Sequence, residues 1–209
     1  MGYPPAPGQP LAGYPAAPAK RGSRTGLVIA LVAVVVLVLC AGVAAVLVLP
    51  RLLADRPTAS GDLPGLIDYH QTDPGALAAT HKQGELSYPM DPPAGGPHNP
   101  IWLNCTGRVY DQPVVKEKAV HSLEHGAVWI TYRPGLDQAS VDKLAARVRG
   151  NDYLLLSPYP GQTTPISLQA WGYQLPVDSA DDQRIDTFIR RYRIKASVEP
   201  GAPCSGGDG

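Results

Sequence analysis

The chain has 209 residues with 18 Lys+Arg against 18 Asp+Glu, so it lacks the basic excess that a nucleic-acid surface requires. Aromatic content is 7%, while Pro and Gly number 23 and 22, a balance that suits one modest globular domain joined to non-globular segments. One block, Leu27 to Leu49, inflates the apolar share, and past residue 57 the chain holds 13 basic and 17 acidic residues, a mildly acidic remainder with net charge −4.

Residues 1–26 are rich in Pro, Gly, Ala and Tyr, and Gly2-Tyr3-Pro4 recurs as Gly13-Tyr14-Pro15. Such a stretch buries too little apolar surface to offset its ordering entropy, so it is expected to be a disordered tail. From Leu27 to Leu49 there are 23 residues without a charge. At about 1.5 Å of helical rise each, they are long enough to cross a hydrocarbon core of roughly 30 Å. A cleaved signal peptide would have a shorter apolar core nearer the start, so the expectation is a single transmembrane helix, with Cys40 inside it as an inert small hydrophobe. Lys20, Arg21 and Arg24 precede the span, whereas Arg51 and Arg56 follow it beside Asp55. That asymmetry predicts a cytoplasmic N-terminus and, across the cell membrane, an extracytoplasmic C-terminal bulk.

A tether is expected over residues 50–65, an α+β domain over 66–204, and a disordered end over 205–209. Within the domain, a short helix is predicted around Pro74 to His81. The loop from Tyr88 to Pro100 follows, and in it His98 stands between Pro97 and Pro100, which restrict its backbone. Strands are predicted at Ala127 to Tyr132, Tyr153 to Ser157 and Ile166 to Trp171. Val141, Leu144, Ala145 and Val148 recur at helical spacing between Asp137, a candidate N-cap, and Gly150, a candidate stop. The last helix carries Ile185, Phe188, Ile189 and Tyr192 as its apolar stripe, with Ser179 as candidate cap, and a final strand is predicted over Lys195 to Glu199. The order strand, helix, strand, strand, helix, strand matches a ferredoxin-like split unit. The fold class expected is therefore α+β, a ferredoxin-like sandwich with helices on one face of a mainly antiparallel sheet.

Val120-His121-Ser122-Leu123-Glu124-His125-Gly126 is the densest chemistry in the chain, with two imidazoles and a carboxylate inside five residues. On a helix His121 and His125 share one face about 6 Å apart along the axis; on a strand they would be about 13 Å apart and could not share an ion. The candidate metal ligands are His98, His121 and His125, with Glu124, water or Met90 for a fourth position, and three imidazoles suit zinc or copper. The bland alternative, a structural or interaction module in which the histidines only pack and hydrogen-bond, stays open. His70 and His81 lie in the loose segment and are expected to be solvated. An enzymatic reading would use His121 or His125 as base, Glu124 as orienting carboxylate and an amide near Gly126 as oxyanion donor. No recognisable catalytic motif accompanies it, and Ser122 beside His121 points to a different face. Outside the apolar span only Cys105 and Cys204 remain. An oxidising compartment favours a disulfide between them over a thiolate nucleophile or metal ligand.

Tyr88-Pro89, Gly96-Pro97-His98-Asn99-Pro100, Trp102, Asn104-Cys105, Val109-Tyr110, the run from Val120 to Val128, Tyr132, Ala170-Trp171-Gly172 and Glu199 to Cys204 together resemble the bacterial domain-of-unknown-function 3105 family. The resemblance covers roughly residues 60 to 204. It implies a membrane-anchored protein with no assigned activity, whose pattern includes His98, Cys105, His121, Glu124, His125 and Cys204 and does not include Met90.

Overall fold

The computed structural model describes Ile29 and residues 63–209, and Ser60–Gly209 forms one compact unit. The expected tail, the transmembrane helix apart from Ile29, and nearly all of the tether lie outside the described residues. Among the described residues no helix is long and apolar enough to cross a membrane. The domain begins upstream of the expected boundary, since Leu63 is buried in the core and Arg184 donates to the Pro64 carbonyl.

The elements are β1 (Ile67–Asp68), α1 (Tyr69–Thr72), a 3-10 turn (Pro74–Leu77), β2 (Thr106–Val109), α2 (Lys116–Glu124), β3 (Val128–Tyr132), α3 (Gln138–Val148), β4 (Leu154–Pro158), β5 (Ile166–Ala170), β6 (Tyr173–Val177) and α4 (Arg184–Tyr192). Six strands make one mixed sheet in the order β1-β6-β5-β3-β4-β2. β2, β4 and β3 run parallel, as strands joined by helical crossovers do, while β3, β5, β6 and β1 pair antiparallel.

The α+β class holds, but the ferredoxin-like topology is not confirmed. A split unit separates the two strands that flank its helix, whereas β3 and β4 around α3 are direct hydrogen-bonded neighbours. The helices also occupy both faces. Alternate residues of β3 point opposite ways: Val128 and Ile130 join Leu144, Val148, Ile185 and Phe188, while Trp129 joins Val120, Leu123 and Trp171. α3 and α4 thus cover one face and α2 the other, which explains why β4 and β5 are buried along their whole lengths.

Local signals that were strong survive. Asp137 Oδ1 accepts from the Ser140 amide at 2.9 Å and caps α3, and Gly150, at φ +74°, follows its end. α4 starts later than Ser179 suggests. Ser179 Oγ accepts from the Asp181 amide in a turn, and Asp182 accepts from the Arg184 amide where the helix begins. β6 was not expected, because Pro176 sits inside it and proline ordinarily argues against a strand.

Lys195 to Glu199 is not a strand. Its polar groups satisfy the orphan carbonyls at the end of α2 instead: the Val198 amide and Ser197 Oγ donate to the Glu124 carbonyl, and the Ile194 amide donates to Gly126. Gly126 turns the chain there at φ +101°, and a Cβ on it would lie 3.0 Å from both Ile194 Cα and Ser197 Cβ. Residues 205–209, expected to be disordered, pair with the domain. Asp208 bridges Leu103, its carbonyl accepts from the Asn104 amide at 2.8 Å, and its carboxylate meets the Lys118 ammonium.

Candidate metal centre

α2 decides the backbone state of the histidine run. Residues 121–124 are helical and His125 is the C-cap in αR geometry, so both imidazoles do share one helical turn, their ring centroids 4.7 Å apart. The end of α2 is buried: His121, Ser122, Glu124 and His125 expose 4% or less of their surface. Backbone hydrogen bonds then bring the preceding loop to the helix. The Asn99 amide donates to the Glu117 carbonyl, the Leu103 amide donates to Lys118, and Glu117 accepts from the Leu86 amide at 2.9 Å.

His98 lands against Glu124, with Nε2 2.8 Å from Oε2. His121 Nε2 lies 3.7 Å from the same oxygen and His81 Nε2 3.5 Å from it. His81 was expected to be solvated, and its side chain is 48% exposed, yet it belongs to the cluster. The predicted helix stops at Leu77, and the chain from Thr80 to Lys82 instead runs beside His98. The His98 amide donates to Thr80 and the Lys82 amide donates to His98, at 3.0 and 2.7 Å. That pairing lays the His81 ring on His121, 4.8 Å between centroids and 28° between planes. No local signal around His81 announces this, because its partner is 17 positions away.

His125, predicted to join His98 and His121, goes elsewhere. Its Nε2 faces Glu199 Oε2 at 3.6 Å. Two donor groups therefore share His121. One contains His81, His98, His121 and Glu124, the other His121, His125 and Glu199, and within each the ligand atoms lie within 4.8 Å of one another.

Proton placement follows from the outer partners. His98 Nδ1 faces the Gly96 carbonyl at 2.7 Å, His121 Nδ1 the Asn99 carbonyl at 2.6 Å, and His125 Nδ1 the Pro203 carbonyl at 2.8 Å. A carbonyl can only accept, so each Nδ1 carries a proton, and in the neutral form of each ring the lone pair is at Nε2. Burial lowers the His121 pKa to about 4, with the neighbouring imidazoles of His125 and His98 adding to the effect, so this ring is neutral at pH 7. With the rings neutral, the Nε2 lone pairs of His98 and His121 meet the Glu124 oxygen in a buried place, an arrangement that calls for a cation or a proton among them. A tetrahedral zinc with bonds of about 2.0–2.1 Å needs donors about 3.4 Å apart. The three separations from Glu124 Oε2, 2.8, 3.5 and 3.7 Å, bracket that value. Carbonyl-anchored Nδ1 groups are also the usual outer support of metal-binding imidazoles.

Two groups of the hydrolytic reading, the Ser122 hydroxyl and the Gly126 amide, are hydrogen-bonded within the fold. Ser122 Oγ is fully buried and donates to the Leu103 carbonyl at 2.8 Å, and the Gly126 amide donates to Leu123 at 2.9 Å. Cys105 and Cys204 form a disulfide with Cα atoms 4.8 Å apart, so neither is a thiolate. The bridge holds the C-terminal segment, and with it the Pro203 carbonyl, against the His125 side of the centre.

No curated protein and no solved structure matches this chain. Residues 80–206, more than half of the chain and including every residue of both donor groups, match the family described as protein of unknown function (DUF3105), and the chain belongs to that family.

Proposed function

We propose that this is a membrane-anchored protein whose domain outside the cytoplasm holds one transition-metal ion through His81, His98, His121 and Glu124. The observation that carries the reading is the orientation of the rings. Backbone carbonyls hold the Nδ1 atoms of His98 and His121, and three Nε2 atoms converge within 3.7 Å of one carboxylate oxygen. A donor set of nitrogen and oxygen without sulfur suits a borderline ion, zinc or copper(II). Four protein donors close a tetrahedral sphere, which fits holding or transferring an ion better than activating a water. Anchoring rests on the uncharged span Leu27–Leu49 and its flanking bases, and the Cys105–Cys204 bridge supports an oxidising side of the membrane.

Metal analysis of the purified full-length chain, beside the His98→Ala, His121→Ala double variant, tests this. Close to one ion per wild-type chain and none in the variant is expected; equal and negligible metal in both would end the reading. A structural role for the same rings is the competing reading, favoured by the fact that their Nδ1 bonds tie the 96–99 loop and Pro203 to α2. It predicts that the substitutions lower the melting temperature while added metal leaves wild type unchanged.

A further inference from the structure

We propose that His125 and Glu199 form a rim position through which the ion reaches the buried donors, with His121 the ligand common to both positions. The inference rests on the metal-binding reading above and specifies how that site is filled. Three observations lead to it. His121 belongs to both donor groups, but its Nδ1 is held by the Asn99 carbonyl at 2.6 Å, so a single lone pair serves both and the two positions cannot be filled together. His125 is oriented in the same way, Nδ1 on the Pro203 carbonyl and Nε2 toward Glu199, an arrangement with no use in the inner site. Glu199 is 49% exposed at its side chain, and its carboxylate is the sole exposed one in the two groups.

An exposed carboxylate attracts a cation from solvent, whereas the other exposed donor, His81, brings no negative charge. The rim supplies three donors and the inner group four, so equilibrium favours the inner position. Passage between them is a ligand exchange in which His121 keeps its bond while His125 and Glu199 are replaced by His98, Glu124 and His81. No electron moves, and the ion keeps its oxidation state. The turn carrying Glu199 is fixed relative to α2, because the Val198 and Glu199 amides both donate to the Glu124 carbonyl at 3.1 and 3.3 Å.

The test uses the purified full-length chain mixed rapidly with Co2+, with uptake and chelator-driven release followed by tryptophan fluorescence. Trp102 is a suitable reporter, its ring 4.9 Å from His125 and 5.6 Å from His121. Glu199→Gln removes the charge on an exposed turn, and His125→Asn removes Nε2 while leaving an amide that can donate to Pro203. In both variants uptake and release should slow together, about tenfold as expected for loss of local steering, with Kd unchanged and one Co2+ bound per chain. Wild-type rates in Glu199→Gln would overturn the rim route. So would faster release with weaker Kd in either variant, which would make the pair equilibrium ligands, or two Co2+ per wild-type chain. Should His125→Asn fail to fold, Glu199→Gln decides alone. A wild-type chain that takes up no Co2+ at all would overturn the metal-binding reading and this one with it.

Discussion

Replacing Glu124 by Gln separates a metal centre from a buried ion pair, because the two predict opposite changes. The three Nε2 atoms lie 2.8 to 3.7 Å from Glu124 Oε2, and a zinc bound by this carboxylate would sit about 2 Å from that oxygen. With an effective dielectric constant near 20, a dication and a carboxylate at that distance attract by roughly 16 kcal/mol, an upper bound for the lost charge. Even a quarter of it is about 4 kcal/mol, or three powers of ten in Kd. The metal-free protein should respond differently. With His98 neutral, Gln presents an amide N–H to Nε2 2.8 Å away, a hydrogen bond with a net value of about 1 kcal/mol. At pH 8, in chelator, Glu124→Gln should therefore melt at the wild-type temperature or a few degrees above it, while Co2+ or Zn2+ titration followed by fluorescence shows affinity reduced at least about a thousandfold. Retained affinity would refute the assignment of Glu124 as ligand. A loss of about 3–5 kcal/mol in the metal-free state would instead identify a structural His98–Glu124 ion pair.

His81→Ala removes a donor that is half exposed, so metal affinity should fall about 10- to 100-fold with no measurable loss of metal-free stability in thermal melts. The depressed pKa of His121, about 4 against an ordinary 6.5, has a definite sign. Below pH 6.5 the unfolded chain takes up a proton that the folded chain refuses, so metal-free stability should decline from pH 6.5 to 4 and level off beneath it. That single ring accounts for roughly 3 kcal/mol, read as a pH series of denaturant midpoints; a flat profile across the window would contradict the burial argument. Reducing Cys105–Cys204 opens a loop of 99-residue separation, whose closure in the chain-entropy model restricts the unfolded state by about 4–5 kcal/mol. Denaturant midpoints with and without reductant should differ accordingly, and coincident curves would show that the staple adds nothing.

Some of this was written locally in the chain and some was not. Asp137, the apolar spacing through Val148 and Gly150 mark α3 to within a residue, because caps and periodicity are properties of a few consecutive positions. The spacing of His121, Glu124 and His125 meant that they would share a turn if the run were helical, a backbone state the structure supplies, and two cysteines outside the apolar span left one pairing. Only the tertiary structure decided which donors meet. His81 joins through backbone pairing with His98, and Glu199 draws His125 away, because the expected last strand instead folds back to satisfy the free carbonyls at the end of α2. The parallel pairing of β3 with β4 and the placement of α2 on the face opposite α3 and α4 were equally absent from any local pattern. Hydrogen-bonding demand at a helix end and strand pairing between distant segments depend on what the rest of the chain leaves unpaired, and no window of neighbouring residues carries that information.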